Sequence, residues 1–169
     1  MVPKSLAIGI AAAGILIHIG LGSRADDNRA AVMRELPQAS VSLAQALKTS
    51  EREGKPISAE YDVEDGDLRI SVYAKRGDQF SEVIIDPRSG SIIKTNPLTD
   101  PNEINEAEAQ SAAMEKAKST LEAALGAAVS ANTGYRAVSV IPMLGDDEPV
   151  AAITLIRGEE IKTVAEKLD

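Results

Sequence analysis

The sequence predicts an α+β protein of two tandem units, each one helix packed on a small antiparallel β-meander sheet. Three observations predict it. Apolar residues recur first at helical spacing and then at every second position. That order, helix then strands, occurs twice. Residues 75–83 (KRGDQFSEV) overlay residues 156–164 (IRGEEIKTV) at a constant offset of 81, with Arg-Gly on Arg-Gly, Phe80 on Ile161 and Val83 on Val164.

The elements follow in order. Residues 26–39 start charged and reach Pro37, which predicts a linker or short helix. The first strong helix follows Ser42, where Ser42 and Gln45 have the spacing of a capping box and Leu43, Ala46 and Leu47 share a face. Gly54 and Pro56 end it. From Ile57 the period is two: Ile57, Ala59, Tyr61 and Val63 point one way, Ser58, Glu60, Asp62 and Glu64 the other. Asp65-Gly66 predicts a tight hairpin, because a type I′ turn needs positive φ at both central residues. A second strand carries Leu68, Ile70, Val72 and Ala74 inward; Arg76-Gly77-Asp78 turns it into a third, residues 79–85, and a fourth covers 91–95. The first unit is thus 40–95, and residues 96–105, with two prolines, form a linker. In the second unit, 106–169, an alanine-rich helical stretch runs through Met114, Ala117, Leu121, Ala124 and Ala128. A strand follows Gly134, residues 143–149 form a loop longer than that of the first copy, and two strands separated by Arg157-Gly158 complete the unit. This copy stops before any Asp-Pro-x-x-Gly corner.

Residues 1–25 differ from the rest. Lys4 supplies a positive start, residues 6–22 are apolar and uncharged, and Ser23-Arg24-Ala25 places small residues where a signal peptidase reads. Two readings fit. One is a secretory signal peptide cleaved after Ala25. The other is an uncleaved signal anchor, since 17 residues reach the lower limit for crossing an apolar layer of ~30 Å.

Composition excludes several functions. The 169 residues are 44% hydrophobic and 26% charged, values of a folded chain, but only 2% aromatic, so Ile, Val, Leu and Ala must build the core. Removing residues 1–25 takes two basic residues and no acidic one, moving the formal charge from −8 to −10. No basic stripe appears, so nucleic acid is not an expected partner, and membrane contact is expected only through residues 1–25 if they stay attached. The single histidine, His18, lies in the leader and there is no cysteine. The remainder therefore lacks the residues for Ser-His-Asp or Cys-His catalysis and for the usual zinc sites. We expect no enzyme, no catalytic residue, no cofactor and no metal site.

The first unit, from a Leu-Ala-x-Ala-Leu helix through Tyr61 and the strand 70–73 to Val83-Ile84-Ile85-Asp86-Pro87-x-x-Gly90-x-Ile92, resembles the PepSY domain. Ser89 stands where that family often has Thr. The second unit resembles a PepSY domain that ends one strand early. The resemblance implies an exported bacterial, non-catalytic binding module, extracytoplasmic and most naturally periplasmic, whose partner is a protein such as a peptidase that it restrains. The alternative is a membrane-anchored accessory subunit held by the uncleaved N-terminal helix and facing the periplasm.

Two places stand out as sites. Asp86, Pro87 and Gly90 have the residue types of a structural turn: Pro presets φ, Asp bonds the backbone two residues on, and Gly accepts positive φ. Gly145, Asp146, Asp147 and Glu148, at the tip of the 143–149 loop, form the candidate partner-binding loop. Asp62, Glu64, Asp65 and Asp67 are acidic but lack the spacing of a calcium-binding EF-hand loop, and read as a solvated face.

Overall fold

The computed structural model describes residues 22–169, so most of the expected leader or anchor lies outside the described residues. The chain is a mixed α+β fold with one seven-stranded antiparallel sheet where two small sheets are expected. Its strand order is β4-β3-β2-β1-β5-β6-β7. The strands are β1 (Lys55–Glu64), β2 (Asp67–Arg76), β3 (Gln79–Ile85), β4 (Ile92–Pro97), β5 (Arg136–Gly145), β6 (Glu148–Arg157) and β7 (Glu160–Lys167). The first strands of the two meanders, β1 and β5, pair with each other through Ala59↔Val140 and Glu60↔Ser139, which joins the halves.

The offset of 81 runs through this architecture. Adding it to the bounds of β1 and β2 returns those of β5 and β6. Register shifts fall between Pro56 and Ser58 and again between Ala137 and Ser139, and Gly77 and Gly158 both have positive φ in equivalent turns.

Residues 26–39, expected as a linker or short helix, fall in α1 (Gly22–Glu35) and a 3-10 turn (Leu36–Gln38), with Ala39 the extended residue after it. They are helical because Val32 and Leu36 bury apolar surface against the core. Helix α2 (Leu43–Ser50) begins with the expected capping box: the Gln45 amide donates to Ser42 Oγ at 3.2 Å, and the Ser42 amide to Gln45 Oε1 at 2.8 Å. The alanine-rich stretch does not form one long helix but two, α3 (Pro101–Lys116) and α4 (Leu121–Ala131). At the break the amides of Lys118 and Ser119 both donate to the Leu168 carbonyl, and Thr120 Oγ1 accepts from the Ala123 amide. α3 starts at Pro101 with Asp100 as its N-cap, inside the segment expected as a linker.

Helices α1, α2 and α4 cover one face of the sheet. Leu43, Leu47, Leu125 and Ala128 there meet Ala59, Tyr61, Ile70, Val72, Val83, Val140, Ile153 and Leu155, all buried. Fully burying each Leu or Ile is worth roughly 1.5–3 kcal/mol, so this layer supplies most of the fold's stability. α3 crosses the opposite face, where Glu106 and Gln110 adjoin Ser58, Glu60, Ser71 and Tyr73. The break before α4 takes the chain from one face to the other. Covered by α3, Ser58 and Ser71 are buried rather than solvated.

Candidate protein-interaction surfaces

The Asp86 corner is built from its own residue types. Asp86 Oδ1 accepts the amides of Arg88 at 2.9 Å and Ser89 at 2.7 Å, and Gly90 takes a φ of 74°. These amide donors hold the carboxyl below its ordinary range. The Pro87 carbonyl accepts the amides of Ser40 and Val41, tying the corner to the chain that enters α2. Leu168 does the equivalent work for Lys118 and Ser119 before α4.

The expected loop at 143–149 is instead the closed end of a hairpin. Met143 pairs with Val150, Leu144 with Pro149 and Gly145 with Glu148, leaving a two-residue turn. Asp146 and Asp147 have φ of 50° and 66°, the two positive values of a type I′ turn. The copy is therefore no longer than its counterpart at Asp65-Gly66; it lacks only the glycine that signals such a turn. Met143 and Leu144 are 47% and 40% exposed beside the two aspartates, so the hairpin end offers apolar surface ringed by negative charge. Lys167 pairs with Glu148 at 3.2 Å across β6 and β7.

The open edges of the sheet are β4 and β7. Ile93 on β4 and Ile161 on β7 are exposed, and an edge strand has backbone groups free to pair with an extended segment.

On the face crossed by α3, Arg69 gathers the nearby acids. Its Nε and Nη2 form a fork to Asp62 at 2.7 and 2.8 Å, Nη1 also bonds Glu64, and Glu82 lies 3.7 Å away. Asp62 and Glu64 are thus an ion cluster with Arg69 rather than a bare solvated face. Glu60, beside them, has no such partner. Loss of water around the carboxylate, then the charges of Asp62, Glu106 and Glu82, push its carboxyl up to about 7 against the opposing pull of Arg69, although its outer rim remains exposed. Among the described residues, no three His, Cys, Asp or Glu side chains converge to hold a metal ion, and no helix is long and apolar enough to cross a membrane.

These features define a small α+β protein whose exposed elements are strand edges, a hairpin end and an acidic face. Residues 40–96 match the family described as peptidase propeptide and YPEB domain, PepSY. No curated protein matches the chain. Among solved structures, a protein described as a lipoprotein of Clostridium difficile 630 is similar at 14% identity, over 72% of this chain and 80% of that chain, with a TM-score of 0.39.

Sequence reasoning missed two features of these surfaces, the tight turn at Asp146-Asp147 and the lone position of Glu60. The even spacing of the two Arg-Gly turns was the available signal for the first: carried back by 81, Asp146-Asp147 falls on Asp65-Gly66.

Proposed function

We propose that the chain is an extracytoplasmic, non-catalytic protein-binding module of two tandem PepSY-like units, 40–95 and 106–169. The PepSY match at 40–96 carries this reading. The return of strand bounds and register shifts at an offset of 81 supports extending it to the second unit. The partner class in this reading is a peptidase, which the words peptidase propeptide in the family's description support, met outside the cytoplasm and most simply in the periplasm. The contact element is the hairpin end Gly145, Asp146, Asp147 and Glu148, with Met143 and Leu144 supplying apolar area. Apolar anchors bounded by charge are the usual composition of a binding hot spot and its rim. The Asp86-Pro87-Gly90 corner is a structural turn in this scheme, not a contact.

The test is to purify a peptidase captured by the intact chain from the extracytoplasmic fraction and measure its turnover with increasing chain. Inhibition that M143A/L144A weakens supports the reading. A captured peptidase whose activity and binding ignore both the chain and this variant sinks it.

A second reading, an anchored accessory subunit of a membrane complex, draws on α1 (Gly22–Glu35), which runs across the Ala25–Asp26 bond expected to be cut. Intact mass separates the two: a soluble species beginning at Asp26 supports the free module, and a membrane-bound species retaining residues 1–25 supports the anchored subunit.

A further inference from the structure

We propose that the hollow between α3 and strands β1, β2 and β5 binds a primary alkylammonium group, the head of a lysine side chain or of a free alkyl amine. The hollow measures about 70 Å³ and is lined by Glu60, Ser71, Tyr73, Glu106, Gln110 and Ile141 among others. That is room for an ammonium and its first methylenes, and for little more.

The acidic residues alone would not define a ligand. The second observation is Gln110. Its side chain is nine-tenths buried, it lines the hollow, and its Oε1 has no hydrogen-bond partner. A buried carbonyl oxygen left unbonded costs free energy that a donor entering the hollow would recover. Glu60 and Glu106 supply the charge. Neither takes part in a salt bridge among the described residues, and Arg69, the cation that acts on Glu60, is engaged by Asp62, Glu64 and Glu82.

The donor set selects the ligand. A divalent metal wants several converging carboxylates, and no three converge here. An ammonium has three N–H donors and no acceptor, which two carboxylates and one amide oxygen satisfy. Ser71 Oγ already donates to Glu82 at 2.7 Å, so toward the hollow it has only lone pairs to offer. The Tyr73 ring and Ile141 supply apolar wall for the methylenes, the environment in which long cationic side chains bury their stems.

Charged and titratable groups facing Glu60 come from every packed element: Asp62 on β1, Arg69 and Tyr73 on β2, Glu82 on β3 and Glu106 on α3, with Glu103 of α3 next to Tyr73. Loss of hydration and then the neighbouring negative charges raise the Glu60 and Glu103 carboxyls and the Tyr73 hydroxyl. An arriving cation would relieve that strain, so binding should release a proton and tighten as Glu60 ionises.

The experiment is an NMR titration of the full chain with n-butylammonium chloride, with tetramethylammonium chloride, which has no N–H, at matched ionic strength as control. The expected result is a shift of the Gln110 side-chain amide and of the Glu60 and Glu106 carboxyl carbons by butylammonium alone. The affinity should rise from about pH 6 to about pH 8. Glu60→Gln and Glu106→Gln, both at exposed positions that the fold tolerates, should each weaken binding about tenfold, the loss of one charge-assisted hydrogen bond. Nα-acetyl-lysine-N-methylamide binding as well as butylammonium assigns the site to a protein side chain; butylammonium binding alone assigns it to a free amine. Equal response to tetramethylammonium, displacement of butylammonium by calcium, or unchanged affinity in folded Glu60→Gln overturns the proposal. The lysine assignment rests on the protein-binding reading above. Loss of ammonium binding with peptidase inhibition intact sinks the hollow alone, and ammonium binding by a chain that restrains no peptidase sinks the module reading alone.

Discussion

Ala59 of β1 lies opposite Val140 of β5, and the two positions differ by 81, the offset that relates β1 to β5 and β2 to β6. In an antiparallel pair of equivalent strands, such a pair marks the local twofold axis. Strands that would otherwise be edges become the centre of one sheet. Both residues are buried, Val140 completely, so the join is part of a shared core. The expected outcome is a single urea transition, coincident by circular dichroism and by NMR signals of Ala74 and Ala151. Val140→Asp, which buries an unpaired carboxylate, should destabilise both halves together by more than about 3 kcal/mol. Survival of the Ala74 signals after loss of those of Ala151 would mean independent units.

Arg136 binds the two halves from another direction. Nη1 donates to the carbonyls of Leu36 at 3.1 Å and Ala39 at 2.9 Å, and Nη2 donates to Val41 O at 3.2 Å and Tyr61 Oη at 2.7 Å. The guanidinium also stands 5.2 Å from the Tyr61 ring centre, and the Tyr61 hydroxyl donates to Val41 O. Arg136→Met should lose about 3 kcal/mol in urea titrations, because several carbonyls lose a charged donor at once. Arg136→Lys should recover little, since a point ammonium cannot reproduce the planar fork. Tyr61→Phe should cost about 1 kcal/mol. Full rescue by lysine would mean that charge, not the fork, holds the connector.

Glu60 makes stability depend on pH in the direction opposite to most carboxylates. Its folded pKa lies near 7, above the ordinary 4.5. The protonated form is thus the one the fold favours. That contribution is present below the unfolded value and is lost as pH rises through the folded one. Glu60→Gln should therefore leave stability at about pH 4.5 nearly unchanged and raise it at about pH 8 by on the order of 1 kcal/mol, after allowing for solvent screening of an exposed side chain. Thermal midpoints of the two proteins across that range provide the check. A Glu60→Gln protein that loses stability at high pH would show the carboxylate to be favourably paired.

What the sequence made legible was whatever local chemistry encodes. The Ser42-Gln45 capping box, the β1 and β2 alternation and the Asp65-Gly66 turn each depend on residues within a few positions of one another. The missed features depend on distant partners. The helical run breaks at 117–120 partly because Leu168 offers its carbonyl to two amides there. The local signal was weak, since Thr120 caps α4 without a Glu or Gln at the third helical position. The alternation of β1 marked Glu60 and Ser58 as outward, which is true of the strand alone. Only the return of α3 over that face buries Ser58 and encloses the hollow at Gln110. The two meanders were visible, but their fusion through Ala59 and Val140 was not, because both faces of an outer strand carry the same pattern whether or not another strand pairs beside it.

The two equivalent hairpin turns allow the turn chemistry to be tested against itself. Asp65-Gly66 and Asp146-Asp147 have the same positive-φ conformation, with φ of 53° and 89° in the first and 50° and 66° in the second. Glycine meets this conformation without steric cost, whereas an L side chain is strained there. Asp147→Gly should therefore stabilise the chain by about 0.5–1 kcal/mol, and Gly66→Asp should destabilise it by a similar amount. A Cβ at Gly66 meets nothing within 4 Å, so any cost there is conformational rather than a clash. Because Asp147 also lies on the proposed contact element, urea stability and peptidase inhibition should be measured on the same protein. Gained stability with weakened inhibition would mean that the aspartate is retained at a conformational cost for its charge. Gained stability with unchanged inhibition would assign the contact to Met143, Leu144, Asp146 and Glu148 alone.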